Sequence, residues 1–243
     1  MKLFWLDHIL FIVVGILIPI LSLLSSSKNM AIEGEEVKMD LPPKKHLYYS
    51  NGLMLWIGAV LVITSWNITT KPWADLGINW PVFSTLSIYL ILALLAIYLI
   101  DTAVSTYQYQ KGKKIDDEEM LNIMPQNWTE YSHFIFLAVS AGVCEEIVFR
   151  GFLINYMREV LPSSPYNLIM SIIIPGMIFS ISHFYQGFLN VFKIFSLSIL
   201  FGAIFVLTKS LLIVAILHAM VDLISGAVFV ILEKRKGQES KLP

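Results

Sequence analysis

The sequence predicts an all-α polytopic membrane bundle of about seven transmembrane helices, with eight as the alternative count. Three observations predict it. Hydrophobic residues fill 56% of the 243 positions and mean hydropathy is +0.71. Charged residues make up 14%, against about 25% in an ordinary soluble domain. Apolar runs of spanning length recur along the chain, without the alternating strands of a membrane barrel. The length suits one integral-membrane domain over residues 1–243, with no separate soluble domain. A net charge of −1 gives no reason to expect a nucleic-acid partner, and the single cysteine, Cys144, excludes an internal disulfide.

Seven segments are apolar for about the 20 residues a spanning helix needs. They are Phe4–Leu24, Leu53–Ile68, Phe83–Ile100, His133–Tyr156, Leu168–Phe184, Val191–Leu207 and Leu211–Leu232. The first resembles a signal peptide, but it carries Asp7 and His8 and lacks an A-x-A-like cleavage site, so it is read as a membrane helix. Residues 25–50 read as a polar loop and 70–82 as a short one with Pro72 and Pro81. Residues 102–131 read as a solvated linker, in which Trp128–Ser132 extends the fourth helix at the headgroup level. Pro162 and Pro165 stop the fourth helix.

Lysine and arginine counts orient the bundle. Twelve fall on the side that holds residues 25–50 and 102–131, the turn after His183 and the C-terminal tail: Lys28, Lys38, Lys44, Lys45, Lys111, Lys113, Lys114, Lys193, Lys234, Arg235, Lys236 and Lys241. Four fall on the other: Lys2, Lys71, Arg158 and Lys209. The expected placement is a multi-pass protein of the cell membrane with its C-terminus in the cytoplasm.

The fourth segment reads HFIFLAVSAGVCEEIVFRGFLINY, and Glu145, Glu146 and Arg150 are its only formally charged side chains. A charge at membrane depth costs about 2.5–3.5 kcal/mol even on insertion scales, so such residues mark function by default. Glu146 and Arg150, four apart on a helix, are natural partners in the favoured order. Glu145 lies about 100° around the helix and faces elsewhere. One glutamate suffices for one arginine, which leaves Glu145 free to act as a general base in a damp cavity. Two more helices bring polar groups to depth. Phe179 and His183 share a face near the end of the fifth. His218 and Asp222 share a face of the seventh, where Asp222 can accept from one ring nitrogen and fix the tautomer. Gly142 and Gly151 flank the pair and allow close helix approach. Cys144 reads as a small apolar filler.

These groups allow two chemistries. In one, Glu145 and His183 hold and deprotonate a water while His218 and Asp222 stabilise an oxyanion. In the other, Glu145, His183 and His218 bind Zn²⁺, which generates the hydroxide. No H-E-x-x-H motif is present, and the metal-free version is the expectation.

The order E-E-x-x-x-R, F-x-x-x-H, H-x-x-x-D within apolar segments resembles the CAAX protease and bacteriocin-processing (CPBP, or Abi) family of intramembrane endopeptidases, also called type II CAAX prenyl endopeptidases. The resemblance covers roughly residues 130–230 and includes the flanking F-R-G-F. It implies a hydrolase with a cavity open toward one leaflet. It makes Glu145 the water-activating residue, assisted by His183, with His218 and Asp222 as the oxyanion pair. Glu146, Arg150 and Phe179 are supporting members. The last position is more often asparagine in the family, and an ionised Asp222 cannot donate to an oxyanion. The expected partner is a peptide or protein substrate at the bilayer, either a lipidated C-terminus or a leader peptide. The short chain resembles prokaryotic members, which disfavours a prenylated substrate. The rival readings are a non-catalytic bacteriocin self-immunity or scaffold protein with the same polar core, and a small proton-relaying transporter, for which no inverted repeat is found.

Overall fold

The structure, a computed structural model, describes residues 2–24, 42–111 and 123–239, and every regular element among them is helical. Helix α1 is Trp5–Leu24, α2 Lys44–Ile68, α3 the four-residue Trp73–Leu76 and α4 Thr85–Gln110. Helix α5 covers 128–160 as three continuous pieces: α-helical Trp128–Glu146, a wider π-helical stretch Ile147–Leu153, and α-helical Ile154–Val160. Helix α6 is Asn167–Ser182, followed by a 3₁₀ turn Phe184–Gln186; α7 is Phe188–Thr208 and α8 Leu211–Glu239. All seven expected segments fall on helices. Among the described residues, five helices are long and apolar enough to cross a membrane: α1, α2, α4, α7 and α8. Helix α6 is a shorter apolar one. The protein is a helical, multi-pass membrane protein.

The helix ends differ from the expected ones where polarity was read as a stop. Helix α2 begins at Lys44, within the stretch read as loop, and α4 runs past Ile100 to Gln110. A helix leaving the apolar layer keeps its own hydrogen bonds, so its polar turns continue until a cap or a proline ends them. Pro43 precedes α2. Ser84 accepts from the Ser87 amide at the start of α4, and Asn127 from the Glu130 amide at the start of α5. Helix α5 does begin at Trp128, and it ends before Pro162. The loop 70–82 contains α3, which ends on Gly77 in the left-handed region.

Cross-links between helix ends sort into two sets. At one end, Lys44 donates to the Met124 carbonyl (2.6 Å), Tyr48 to the Ile123 carbonyl (2.9 Å), Ser22 to the Ser182 carbonyl (2.9 Å), and Lys193 pairs with Asp101 (2.6 Å). At the other, Asn155 donates to the Asp75 carbonyl (2.7 Å), Leu211 to the Gly77 carbonyl (2.9 Å) and Val82 to the Thr208 carbonyl (3.0 Å). This pairing agrees with the alternation of crossings used to count lysines and arginines. Of those residues Lys28, Lys38, Lys113, Lys114 and Lys241 lie outside the described ones.

Asp7 of α1 and Lys71 of the 70–82 loop form a tertiary contact. Both are buried and paired with each other, and Lys71 lies over the rings of Trp66 and Phe4. His8 meets the Tyr156 hydroxyl at 2.8 Å. These contacts fasten α1 to α2 and α5, so the N-terminal helix packs as a member of the bundle. Asp101 is half-exposed.

Candidate active site

The site is built on α5, α6 and α8, with α7 behind it. Glu146 ends the α-helical part of α5, and the π-helical stretch begins at the next residue. Single π turns inside α-helices are frequent at functional sites, since the extra residue per turn re-aims side chains. Arg150 lies within that stretch and still reaches back. Its Nη1 donates to Glu146 Oε1 at 2.9 Å, and the pair is buried, with 2% and 0% of the side chains exposed. The expected Glu146–Arg150 partnership is therefore present. Arg150 Nη2 donates to Ser198 Oγ of α7 at 3.0 Å, and the guanidinium lies between the rings of Phe179 (5.0 Å) and Phe201 (5.4 Å). Ion pair, hydroxyl and two aromatic faces together offset the desolvation of Arg150.

Glu146 has a second partner that reading one helix at a time misses. His218 Nδ1 of α8 lies 2.7 Å from the same Oε1. A carboxylate that pairs with Arg150 is ionised and can only accept, so Nδ1 carries the proton. Glu146 Oε2 has no hydrogen-bond partner among the described residues. His218 Nε2 faces the other way, 3.7 Å from Glu145 Oε2 and 3.7 Å from Asp222 Oδ2. This corrects the expectation that Asp222 accepts from His218 and fixes its tautomer. The 3.7 Å separation is beyond hydrogen-bond length, and Glu146 is the orienting carboxylate. In the neutral ring Nε2 is then an acceptor, and it donates only as an imidazolium.

His183 is oriented in the same manner. Its Nδ1 donates to the Phe179 carbonyl at 2.8 Å, one turn back on α6, which leaves Nε2 as the free nitrogen. Phe179 joins the groups: its ring centroid is 4.5 Å from His183, 4.8 Å from Phe149 and 6.3 Å from His218. Pro175 sits one turn before Phe179 and removes one backbone bond from α6. Glu145, His218 and Asp222 are thus gathered directly, while His183 joins through Phe179 rather than by a bond to Glu145. Among the described residues, no group of three or more His, Cys, Asp or Glu side chains is arranged to hold a metal ion. The set Glu145, His183 and His218 named for zinc is therefore not gathered as a ligand cluster.

Exposure rises in one direction across the site. Glu146 is 0% exposed, Glu145 and His218 are each 13%, and Asp222 is 31%. Glu145, His218 and Asp222 are partly exposed, and Glu146 with Arg150 is sealed in behind His218. Cys144 is buried, in keeping with a small filler.

The tight approach of α5 to α8 depends on Gly142. A Cβ there would lie 2.7 Å from the Ala219 amide nitrogen and 2.9 Å from its Cα, which is backbone that cannot swing aside. Gly142→Ala is expected to part the helices and lower turnover at least about tenfold, since a misplacement of 1 Å costs up to about 10²-fold. Gly58→Ala, with nothing within 4 Å of the added carbon, serves as control. Equal turnover of the two purified variants would show that this spacing does not matter.

Ser198 and Phe201 were not legible as site-forming residues. A hydroxyl in a spanning helix can satisfy itself on its own helix, and an aromatic ring there reads as packing, so neither type signals a partner.

Residues 127–224 match the family model described as type II CAAX prenyl endopeptidase Rce1-like. The match spans all three motifs, so this part of the chain is similar to the CAAX protease family of membrane endopeptidases. No curated protein matches the chain, and no solved structure does.

Proposed function

We propose that the protein is an intramembrane endopeptidase that hydrolyses a peptide bond of a membrane-associated protein or peptide through an activated water, without a covalent intermediate. The observation that carries this is the convergence on His218 of Glu146 at Nδ1 and of Glu145 and Asp222 around Nε2, in a chain similar in part to a protease family. Glu145 takes a proton from the water, and the hydroxide attacks the carbonyl carbon. The Nε2 of His183 accepts the water's other hydrogen. His218, as an imidazolium whose Nδ1–H stays on Glu146, donates from Nε2 to the oxyanion. Glu145 returns its proton to the leaving nitrogen as the C–N bond breaks. Asp222 joins the oxyanion site only in its protonated form. The metal-free version is favoured over the zinc version because, among the described residues, Glu145, His183 and His218 are not clustered as ligands.

The matching family model is described as a type II CAAX prenyl endopeptidase, which supports a lipidated C-terminus as substrate; a leader peptide is the other substrate considered. The C-terminus is cytoplasmic in this proposal, on the lysine-rich side. The test compares the membrane and secreted peptidomes of cells carrying wild-type protein with those carrying Glu145→Ala at matched expression. A precursor that accumulates only with the variant, paired with a product found only with wild type, is expected and would name the substrate. Identical peptidomes with the variant still complementing would favour an immunity or scaffold role instead.

A further inference from the structure

His218 and Asp222 work only if α8 presents them to α5 at the right rotation. A smooth apolar helix in a bundle has little to set its rotation, because lipid tails and leucine side chains are equally apolar. The backbone of α8 around Asp222 is held from two sides by tyrosine hydroxyls. Tyr98, of α4, donates to the Val221 carbonyl at 3.1 Å and meets Ser225 Oγ at 3.0 Å. Tyr131, on the second turn of α5, donates to the Leu223 carbonyl at 3.0 Å. Val221 and Leu223 flank Asp222, and two residues apart on a helix means about 200° around its axis. The two hydroxyls therefore grip opposite sides of one turn.

A carbonyl oxygen has two lone pairs, so each can accept a tyrosine while keeping its helical bond. The contact is also close. A Cβ at Gly226 would lie 2.7 Å from the Phe134 ring and 3.3 Å from the Tyr131 ring. With Gly142 against Ala219, this places one tight α5–α8 contact within the turn that carries His218 and Asp222 and another one turn beyond it. Tyr98 is buried at 8% exposure and lies outside residues 127–224, so the family match does not include it.

We infer that Tyr98 and Tyr131 are positioning residues: a two-sided clamp on the α8 backbone that sets the rotation at which His218 and Asp222 meet Glu145 and Glu146. Among the described residues neither hydroxyl is hydrogen-bonded to Glu145, His218 or Asp222, so each acts through α8. The activity consequence rests on the protease reading above; the geometric one does not.

The test uses full-length protein in nanodiscs, as Tyr98→Phe, Tyr131→Phe and the double variant. Tyr109→Phe is the control, since its hydroxyl donates to Glu233, near the far end of α8. One readout needs no substrate: the low-field proton resonance of the His218 Nδ1–H in protein labelled with ¹⁵N-histidine. The other is kcat and KM on a fluorogenic prenylated CAAX peptide, with Glu145→Ala as background. The expected result is a shifted or broadened His218 resonance in the double variant. It is accompanied by a kcat loss of about tenfold to hundredfold per folded molecule, with KM within about twofold, while Tyr109→Phe matches wild type in both. An unchanged resonance, or a variant that loses only folded yield while kcat per folded molecule stays at wild type, would overturn the clamp. A wild type that fails to cleave the peptide, with the resonance shifting as expected, would count against the proposed substrate or activity and leave the clamp standing.

Discussion

Glu145→Gln is expected to cut cleavage to a small remainder while folded yield stays at the wild-type level. The side chain is 13% exposed, and its nearest ionic partner is His218 Nε2 at 3.7 Å, so little of the fold depends on its charge. The substitution keeps size and polarity but removes the ability to take a proton. A positioned general base contributes about 10²–10⁴-fold, and that loss is the expected fall in kcat. The measurement is turnover of purified variant on the precursor named by the peptidome comparison, normalised to the monodisperse fraction. A variant that keeps more than about a tenth of wild-type turnover would take Glu145 out of the base role, because that fall is well short of the range.

Glu146→Gln behaves differently and loses folded protein as well as activity. Glu146 is fully buried and accepts from both Arg150 and His218 on one oxygen. Taking away its charge leaves Arg150 uncompensated, and breaking a buried pair from one side costs about 3–5 kcal/mol. The glutamine oxygen can still accept from His218 Nδ1, but without its charge it anchors α8 on α5 less strongly. Replacing both members, as Glu146→Leu with Arg150→Met, is expected to return much of the folded yield, since a buried pair exchanged for apolar groups is often neutral. It does not return turnover, because His218 then has no acceptor for Nδ1. Yield is read by size-exclusion chromatography in detergent and stability by thermal unfolding. Equal behaviour of Glu145→Gln and Glu146→Gln would break this division of labour.

Both experiments rest on a distinction that was half legible in the sequence. The spacing of Glu146 and Arg150 on one helix is sufficient to pair them, because four residues on return to the same face. The same rule places Glu145 elsewhere. The rule is silent on what lies across the gap between helices. Asp222, four residues from His218 on α8, was the natural partner within one helix, yet the short bond goes to Glu146, 72 positions away in the chain. The π-helical stretch after Glu146 was illegible for a similar reason: Ile147–Leu153 has no composition that sets it apart from an ordinary apolar turn. Helix ends at Lys44 and Gln110 were misjudged because apolarity marks where the membrane ends, and a helix ends at its cap.

The sequence by itself determined that this is a helical membrane protein, where its apolar segments run, and that two glutamates, an arginine, two histidines and an aspartate stand within them. Those are consequences of transfer free energy and helical period, both local. Only the tertiary structure decided that Glu146 orients His218, that Phe179 links the two histidines, and that tyrosines from α4 and α5 hold the turn around Asp222. The reason is that the rotation and depth of one helix against another are set by a few small-residue contacts and hydroxyl bonds between distant segments, such as Gly142 on Ala219 and Tyr98 on Val221, and a single chain read in order carries no record of them.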